Sequence, residues 1–446
     1  MAMKTLIIAA GNGTRLQPHA KGRHKSLLPL LGLKIIERII LTAKETGISE
    51  FVIVTGFEGK SIRALLGDGE KYGVSISYVE NKNWEKANGI SVFKAKRFFT
   101  ERFVLLMADH IFASDILRRI QRLHFKTDES VLAVDKNLSS VNDINDTTKV
   151  VVRGNRVVSL NKNLSDYNGF DTGMFVCSPS IFKALEKSIR QNKNSLSDGM
   201  RILVKERKLR AFNIQGNFWA DCDTYEDLKF AEKKLIKSLT KPQDGIVSKN
   251  FNRKVSGLIT KLFLIKTPIS PNVITFSTLI LAIPTFLLLA KGGYPWILLG
   301  GLLIQFLSIL DGCDGEIARL KFMKTKWGAF FDTVIDRYVD IIIIFGMIYG
   351  YWLTTHKETI WIMGFFVASS LIMDIFTSRE VKVATRKKIK LPILNVKRDT
   401  RLLILSLGAI TNQVFFTMII MLLILNFKII FRLVFARKMT SVVFPI

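Results

Sequence analysis

The chain has 446 residues, 48% of them hydrophobic, and its 65 Lys and Arg against 37 Asp and Glu give a formal net charge of +28. This length suits two or three domains, and three scattered cysteines, Cys177, Cys222 and Cys313, exclude a disulfide framework and point to a reducing compartment. The pI near 10.0 comes with no nucleic-acid motif, and the basic residues gather beside long apolar runs, so a nucleic-acid partner is excluded.

Residues 1–240 read as a soluble α/β domain, with short apolar strands at Leu6–Ala9, Phe51–Val54 and Phe103–Met107 alternating with helical stretches. The amino terminus leads straight into a strand and a glycine loop, so no cleavable signal peptide is expected. That loop reads Ala10-Gly11-Asn12-Gly13-Thr14-Arg15-Leu16, followed by Lys25 and Leu27-Leu28-Pro29-Leu30-Leu31-Gly32. Its backbone amides can cradle a triphosphate, whose charge Arg15 and Lys25 can offset. A lone G-x-G would fit a dinucleotide fold equally well; the Arg-Leu-x-Pro and Leu-Leu-Pro-x-x-Gly flanks decide against that. Asp109 ends the strand Leu105–Ala108, and Asp221 and Asp223 follow Trp219 near the domain's end. Asp223 with Glu226 is also a capping box opening a helix over 224–240. Asp171-Thr172-Gly173 fits a substrate contact or an ordinary strand-end turn.

Residues 241–271 form a linker in which Ser248–Leu264 mixes Lys and Arg with Phe, Leu and Ile, the composition of an interfacial amphipathic helix. From Asn272 onward the chain reads as an all-α membrane domain, residues 272–446, with apolar runs at about 273–290, 294–310, 329–353, 359–376, 401–411 and 413–431. Six spans is the count. Thr411-Asn412-Gln413 ends a short fifth run and leaves a five-span alternative. Lys and Arg number five in 248–270, four in 319–326, eight in 377–399 and three from 432, against Lys291 and Lys357 in the alternate links. The positive-inside rule then places both termini, the soluble domain and both sites at the cytoplasmic face of a multi-pass cell-membrane protein. The same basic loops can hold anionic membrane lipids.

Where these runs meet, the chain reads Asp311-Gly312-Cys313-Asp314-Gly315-Glu316-Ile317-Ala318-Arg319, then Gly328, Asp332 and Asp336. Ionisable residues in membrane helices face an internal cavity and mark function. The i,i+3 and i,i+4 spacings put each aspartate pair on one helix face, so four carboxylates can converge, and such a set needs cations; its oxygens suit Mg²⁺, Ca²⁺ or Mn²⁺. The alternative is a set of solvated helix-end acids. Asp340, one turn further on, reads as a supporting or helix-packing acid.

That string resembles the signature of the CDP-alcohol phosphotransferases, with every fixed position present. The resemblance implies two divalent ions, Mg²⁺ or a substituting Mn²⁺, among Asp311, Asp314, Asp332 and Asp336, holding the pyrophosphate of a CDP-linked donor, with Asp336 as the base for the acceptor hydroxyl. It also implies Asn272, Gly315, Ala318, Arg319 and Gly328 around the nucleotide, and a homodimer. Arg386 and Arg398, in the most basic link, are candidates for binding an acceptor phosphate.

The glycine loop resembles the start of the nucleotidyltransferases that join a nucleoside triphosphate to a sugar or alcohol phosphate, except that His24 stands where they usually have proline. The resemblance implies nucleotide contacts from Ala10, Gly11, Gly13, Arg15 and Lys25, the last two catalytic. It implies at least one Mg²⁺ at Asp109 and at Asp223 or, second, Asp221. Asn88-Gly89-Ile90-Ser91 resembles a base- and ribose-contacting stretch of cytidylyltransferases through Asn88 and Ser91, and Asp171 would lie near the alcohol phosphate.

With Thr148-Lys149-Val150 added, the whole chain resembles the bifunctional inositol-1-phosphate cytidylyltransferases and di-myo-inositol phosphate phosphate synthases of hyperthermophiles. The resemblance implies CTP and inositol 1-phosphate giving CDP-inositol, then transfer to a second inositol 1-phosphate with release of CMP, in a compatible-solute pathway. A phospholipid synthase using a lipid donor or acceptor is the alternative, favoured by the membrane location. A transporter predicts mid-membrane acids and a repeat between halves, neither of which is visible; a scaffold with dead sites conflicts with motifs intact in both halves.

Overall fold

The computed structural model describes residues 3–16, 22–139, 141, 143–240, 245, 247–385 and 396–440, without the side chains of 382, 384, 385 and 438–440. It divides into two compact units, Met1–Ser238 and Leu239–Ile446.

The strands of the first unit are β1 (Thr5–Ala9), β2 (Pro29–Leu30), β3 (Leu33–Lys34), β4 (Glu50–Thr55), β5 (Ser75–Glu80), β6 (Phe103–Met107), β7 (His110–Phe112), β8 (Ser130–Asp135), β9 (Lys149–Arg153), β10 (Arg156–Asn161), β11 (Gly169–Cys177), β12 (Leu209–Asn213) and β13 (Trp219–Asp221). Nine form one sheet in the order β5-β4-β1-β6-β11-β8-β12-β10-β9. β1 pairs in parallel with β4 and β6, and β11 runs antiparallel between β6 and β8. β1 is buried at every position, as a parallel strand covered on both faces must be. Alternate residues feed opposite cores: Leu6 and Ile8 pack with Phe103 and Phe182, Ile7 and Ala9 with Ile36 and Ile39. Helices α1 (Ile35–Lys44), α2 (Gly59–Leu66), α3 (Gly89–Lys94), α4 (Ser114–Ile120), α5 (Ser180–Ile189), α6 (Leu196–Lys205) and α7 (Tyr225–Ser238) complete the layers. Because β1 and β6 are parallel neighbours, the glycine loop after β1 and Asp109 after β6 emerge at the same sheet edge, where open α/β sheets bind ligands.

The second unit begins with one π-helical turn, Ser248–Asn252, and α8 (Arg253–Leu262). Six helices follow: α9 (Pro271–Ala290), α10 (Tyr294–Leu320), α11 (Lys326–Thr355), α12 (Thr359–Thr385), α13 (Arg398–Ile410) and α14 (Val414–Thr440). Four of these, α9, α10, α12 and α14, are long and apolar enough to cross a membrane. α11 is diluted by Asp332, Asp336, Arg337 and Asp340. α13 has 13 residues, a length of about 20 Å against a hydrocarbon core of about 30 Å. Val273, Phe276, Ile280, Ile283 and Leu287 stand exposed along α9, an outer apolar stripe of the kind lipid covers.

The expected Asp223–Glu226 capping box is replaced by one a residue later. Asp227 N–H donates to Thr224 Oγ1 at 3.1 Å, and Thr224 N–H donates to Asp227 Oδ2 at 3.1 Å. This reciprocal pair satisfies the first turn of α7 and releases Asp223 to the crevice. Thr224→Ala should therefore destabilise the first unit by about 1 kcal/mol, read as a lowered unfolding midpoint in denaturant.

Two candidate active sites

At the sheet edge lies a cavity of about 380 Å³ lined by Gly11, Gly13, Arg15, Lys25, Asp109 and Asp171 among others. Gly13 has φ +59°, and a Cβ there would fall 2.7 Å from Lys25 Cδ, so glycine is what lets the lysine pass into the crevice. Lys25 Nζ donates to Asp223 Oδ1 at 2.5 Å and pairs with Asp109. Arg15 pairs with Asp223 and, at 2.5 Å, with Asp146, which Lys162 also holds at 2.7 Å. Burial opposes a charged lysine, yet Asp109 and Asp223 outweigh it and raise the Lys25 pKa. Asp109 is likewise opposed by burial and held well below the usual carboxylate range by Lys25 and His110.

The β7–β13 pairing sets Asp221 opposite His110. His110 Nδ1 lies 2.6 Å from Asp109 Oδ1 and 3.9 Å from Asp221 Oδ1. Burial would lower its pKa, but Asp221 and Asp109 raise it to about 9. Gly173, at φ +69°, keeps the ring's place open, since a Cβ there would meet His110 Cδ2 at 2.6 Å. Ligand atoms of Asp109, His110 and Asp221 all lie within 4.8 Å of one another. Asp221 Oδ1 is buried without a hydrogen-bond partner among the described residues, so the carboxylates of Asp109 and Asp221 fit a hard divalent cation, with the protonated His110 beside them as a counter-charge. Of the two acids expected from sequence, Asp221 thus joins Asp109 and His110, while Asp223 faces the cations Lys25 and Arg15.

His24 holds the loop conformation without a proline. Its φ of −63° is the value a pyrrolidine ring imposes, and its buried Nδ1 accepts from Ser26 N–H at 3.1 Å. Asn88 lines the cavity, though its Oδ1 accepts from Leu196 N–H at 2.9 Å. Ser91 does not line it: it is buried and accepts from Asn81 Nδ2 at 2.9 Å. Ala10 shapes the loop through its carbonyl, which accepts from Phe57 N–H at 3.0 Å. Asp171 is half-buried in the cavity, and loss of solvent there pushes its carboxyl up to about 6 although it accepts from Gly173 N–H at 2.8 Å.

In the second unit Asp311, Asp332 and Asp336 present carboxylate oxygens within 4.8 Å of one another. Asp314 is within electrostatic reach of Asp311 and Asp332 and accepts from Thr275 Oγ1 of α9 at 2.5 Å. An all-oxygen set of this kind fits Mg²⁺ or Mn²⁺. A Cβ on Gly328 would lie 3.1 Å from Asn272 Oδ1, and one on Gly315 would lie 3.1 Å from Arg319 Nη1, so these signature positions do meet. Arg398 Nη1 reaches Asp311 and Asp336, each at 2.7 Å, and its Nε reaches Asp340 at 2.9 Å. Arg386 lies outside the described residues. Missed in sequence is Asp374 of α12, where Arg401 at 3.1 Å, Lys428 at 2.9 Å and Arg432 at 2.6 Å converge; an acid inside the apolar run 359–376 was the available signal.

Residues 4–238 match the nucleotidyl transferase family and residues 268–434 the CDP-alcohol phosphatidyltransferase family. A protein of Aquifex aeolicus named bifunctional IPC transferase and DIPP synthase is 32% identical over 98% of this chain and 99% of its own length. Proteins of the same name from Rubrobacter xylanophilus and Archaeoglobus fulgidus are 34% and 33% identical, over 91% and 92% of this chain and 89% and 79% of theirs. The chain belongs to the bifunctional IPC transferase and DIPP synthase family. It is a transferase with a nucleotidyltransferase and a CDP-alcohol phosphotransferase domain. The inositol-1-phosphate CTP transferase of T. maritima has a similar fold, with TM-score 0.46 and 24% identity, over 52% of this chain and 97% of that one.

Two outcomes are expected for the soluble site. Asp109→Ala and Lys25→Ala should each abolish CTP-dependent pyrophosphate release, with overall product rescued by preformed CDP-alcohol. Asp171 binds its proton more tightly folded than unfolded, so its ionisation costs stability as pH rises from about 4 to about 6 and above. Asp171→Asn should accordingly raise the unfolding midpoint of the first unit at pH 8 and give no gain at pH 4.

Proposed function

We propose that the chain makes CDP-inositol from CTP and inositol 1-phosphate in its first unit, and that its second unit transfers the inositol phosphate group to another inositol 1-phosphate, releasing CMP. The observation that carries this reading is one chain holding, in its first unit, a crevice lined by the glycine loop, Arg15 and Lys25 and, in its second, the converged carboxylates of Asp311, Asp332 and Asp336 with Asp314 beside them. The relatives' names supply the inositol.

In the first step, Arg15 and Lys25 offset the charge of the CTP phosphates as a phosphate oxygen of inositol 1-phosphate attacks the α-phosphorus and pyrophosphate leaves. Asp171 sits in the same cavity, where it can hold a hydroxyl of the alcohol phosphate. In the second step, Asp336 takes the proton of the acceptor hydroxyl. Asp311, Asp314, Asp332 and Asp336 would hold two divalent ions, and Asp109 with Asp221 or Asp223 at least one; when bound, such ions neutralise phosphate charge and polarise the bond to the leaving group. Mg²⁺ is the ion we favour.

Charge favours a phosphorylated acceptor over a lipid alcohol. Arg401, Lys428 and Arg432 all converge on the one acid Asp374, a local concentration of positive charge suited to a phosphomonoester. Arg386 is a further candidate from the same basic link. We take the six helices α9 to α14 to cross the membrane, with both termini and both sites cytoplasmic, basic loops on anionic lipid and a homodimeric assembly. The 20 Lys and Arg on one set of links against two on the other support that orientation. The membrane location keeps a CDP-linked phospholipid synthase as the second reading.

Asp336→Asn should abolish phosphotransfer, a loss of at least about 10²-fold for a general base, while CDP-alcohol formation continues. Starting from labelled inositol 1-phosphate and CTP, the label should stay in the aqueous phase after solvent extraction. Label in the organic phase sinks the soluble-acceptor reading.

A further inference from the structure

α8 packs with its polar face inward. Asn252, Ser256 and Thr260, spaced four apart, are buried, whereas Phe251, Leu258, Leu262 and Phe263 are exposed. The buried face meets an equally spaced row on α10, Ser308, Gly312 and Glu316. Asn252 Nδ2 donates to Ser308 Oγ at 2.9 Å. A Cβ on Gly312 would stand 3.4 Å from Ser256 Oγ and 3.6 Å from its Cβ, so the helices approach closely at that point. Glu316, 1% exposed, gathers the rest: Ser256 Oγ donates to Oε1 at 2.6 Å, Thr260 Oγ1 to Oε2 at 2.8 Å, and Arg253 Nη1 to Oε1 at 3.0 Å. Arg253 also donates to the Gly312 carbonyl at 3.0 Å. This is small-residue, polar-glue packing of the kind found between helices in lipid, with the apolar side of α8 turned outward.

Gly312 and Glu316 occupy variable positions inside the aspartate signature, so the carboxylate that docks α8 shares two helical turns with Asp311 and Asp314. At about 100° per residue, Glu316 stands roughly 140° around the helix from Asp311. Pinning that far face fixes the rotation of α10 about its axis, and with it the direction of both catalytic carboxylates. Asp314 is held on the other side by Thr275.

We propose that Glu316 is a positioning residue for phosphotransfer, which sets the angle of Asp311 and Asp314 by latching α8 onto the signature helix. A misplacement of about 1 Å costs up to about a hundredfold in rate, so loosening the latch acts on catalysis and not only on stability.

The test uses the full chain with CDP-inositol and inositol 1-phosphate supplied. Glu316→Gln keeps the shape and removes the charge; Thr260→Val removes one donor at constant volume and covers the case in which Glu316→Gln does not fold. Amide exchange across 253–262 should speed up in each variant. The kcat for CMP release should fall about tenfold or more in Glu316→Gln and by a smaller factor in Thr260→Val, with KM for CDP-inositol little changed. CTP-dependent pyrophosphate release should hold its rate. Faster exchange with unchanged kcat in the folded variants would make the latch a packing device only and overturn the proposal, as would unchanged exchange in both.

Discussion

Carboxylates crowded together must be answered by cations, and both units of this chain are built around that demand. At 4 Å two unit charges repel by about 4 kcal/mol at an effective dielectric of 20, so Asp109 with Asp221, or Asp311 with Asp332 and Asp336, cannot stand alone. In the first unit Lys25, Arg15 and His110 supply the positive charge. In the second, Arg398 does so for Asp311 and Asp336. The same electrostatics that make these groups costly to bury make them strong ligands for divalent ions and phosphate, which is the chemistry a nucleotide-transferring site requires.

Holding such groups in place takes a second layer of charge in apolar surroundings. Asp340 ties Arg398 and Arg401 together, and Asp374 ties Arg401 to Lys428 and Arg432, so α11, α12, α13 and α14 meet through a continuous ionic chain. Removing Asp374 would leave Lys428 and Arg432 without a carboxylate partner among the described residues, a larger loss than any one pair contributes. In the first unit the equivalent support is backbone geometry: Gly13 and Gly173 take left-handed conformations where a side chain would strike Lys25 or His110.

Signature spacing made the aspartate cluster legible, because i,i+3 and i,i+4 intervals determine which residues share a helix face whatever the surrounding fold. β1, β4 and β6 were equally legible, since strands buried on both faces read as unbroken apolar runs. What the sequence hid depends on tertiary pairing. The β7–β13 register brings Asp221 to His110, and nothing local in either segment announces it. The choice of cap for α7 turned on one residue, with Thr224 winning over Asp223 because its hydroxyl forms a reciprocal pair with Asp227. Ser91 looked like a nucleotide contact by its motif but faces Asn81 inside the fold. Six apolar runs became six helices, yet α13 is short and α11 is charged, so apolar length alone recognises four of them.

The central claim is that two sites act in series through a free or transient CDP-alcohol. The most direct measurement follows CTP, pyrophosphate, CDP-inositol and CMP together in one time course with the full chain, inositol 1-phosphate and Mg²⁺. The account predicts that pyrophosphate appears first, that CDP-inositol rises and then falls, and that CMP finally equals pyrophosphate. CMP released without a matching amount of pyrophosphate, or pyrophosphate released with CDP-inositol never consumed, would contradict it.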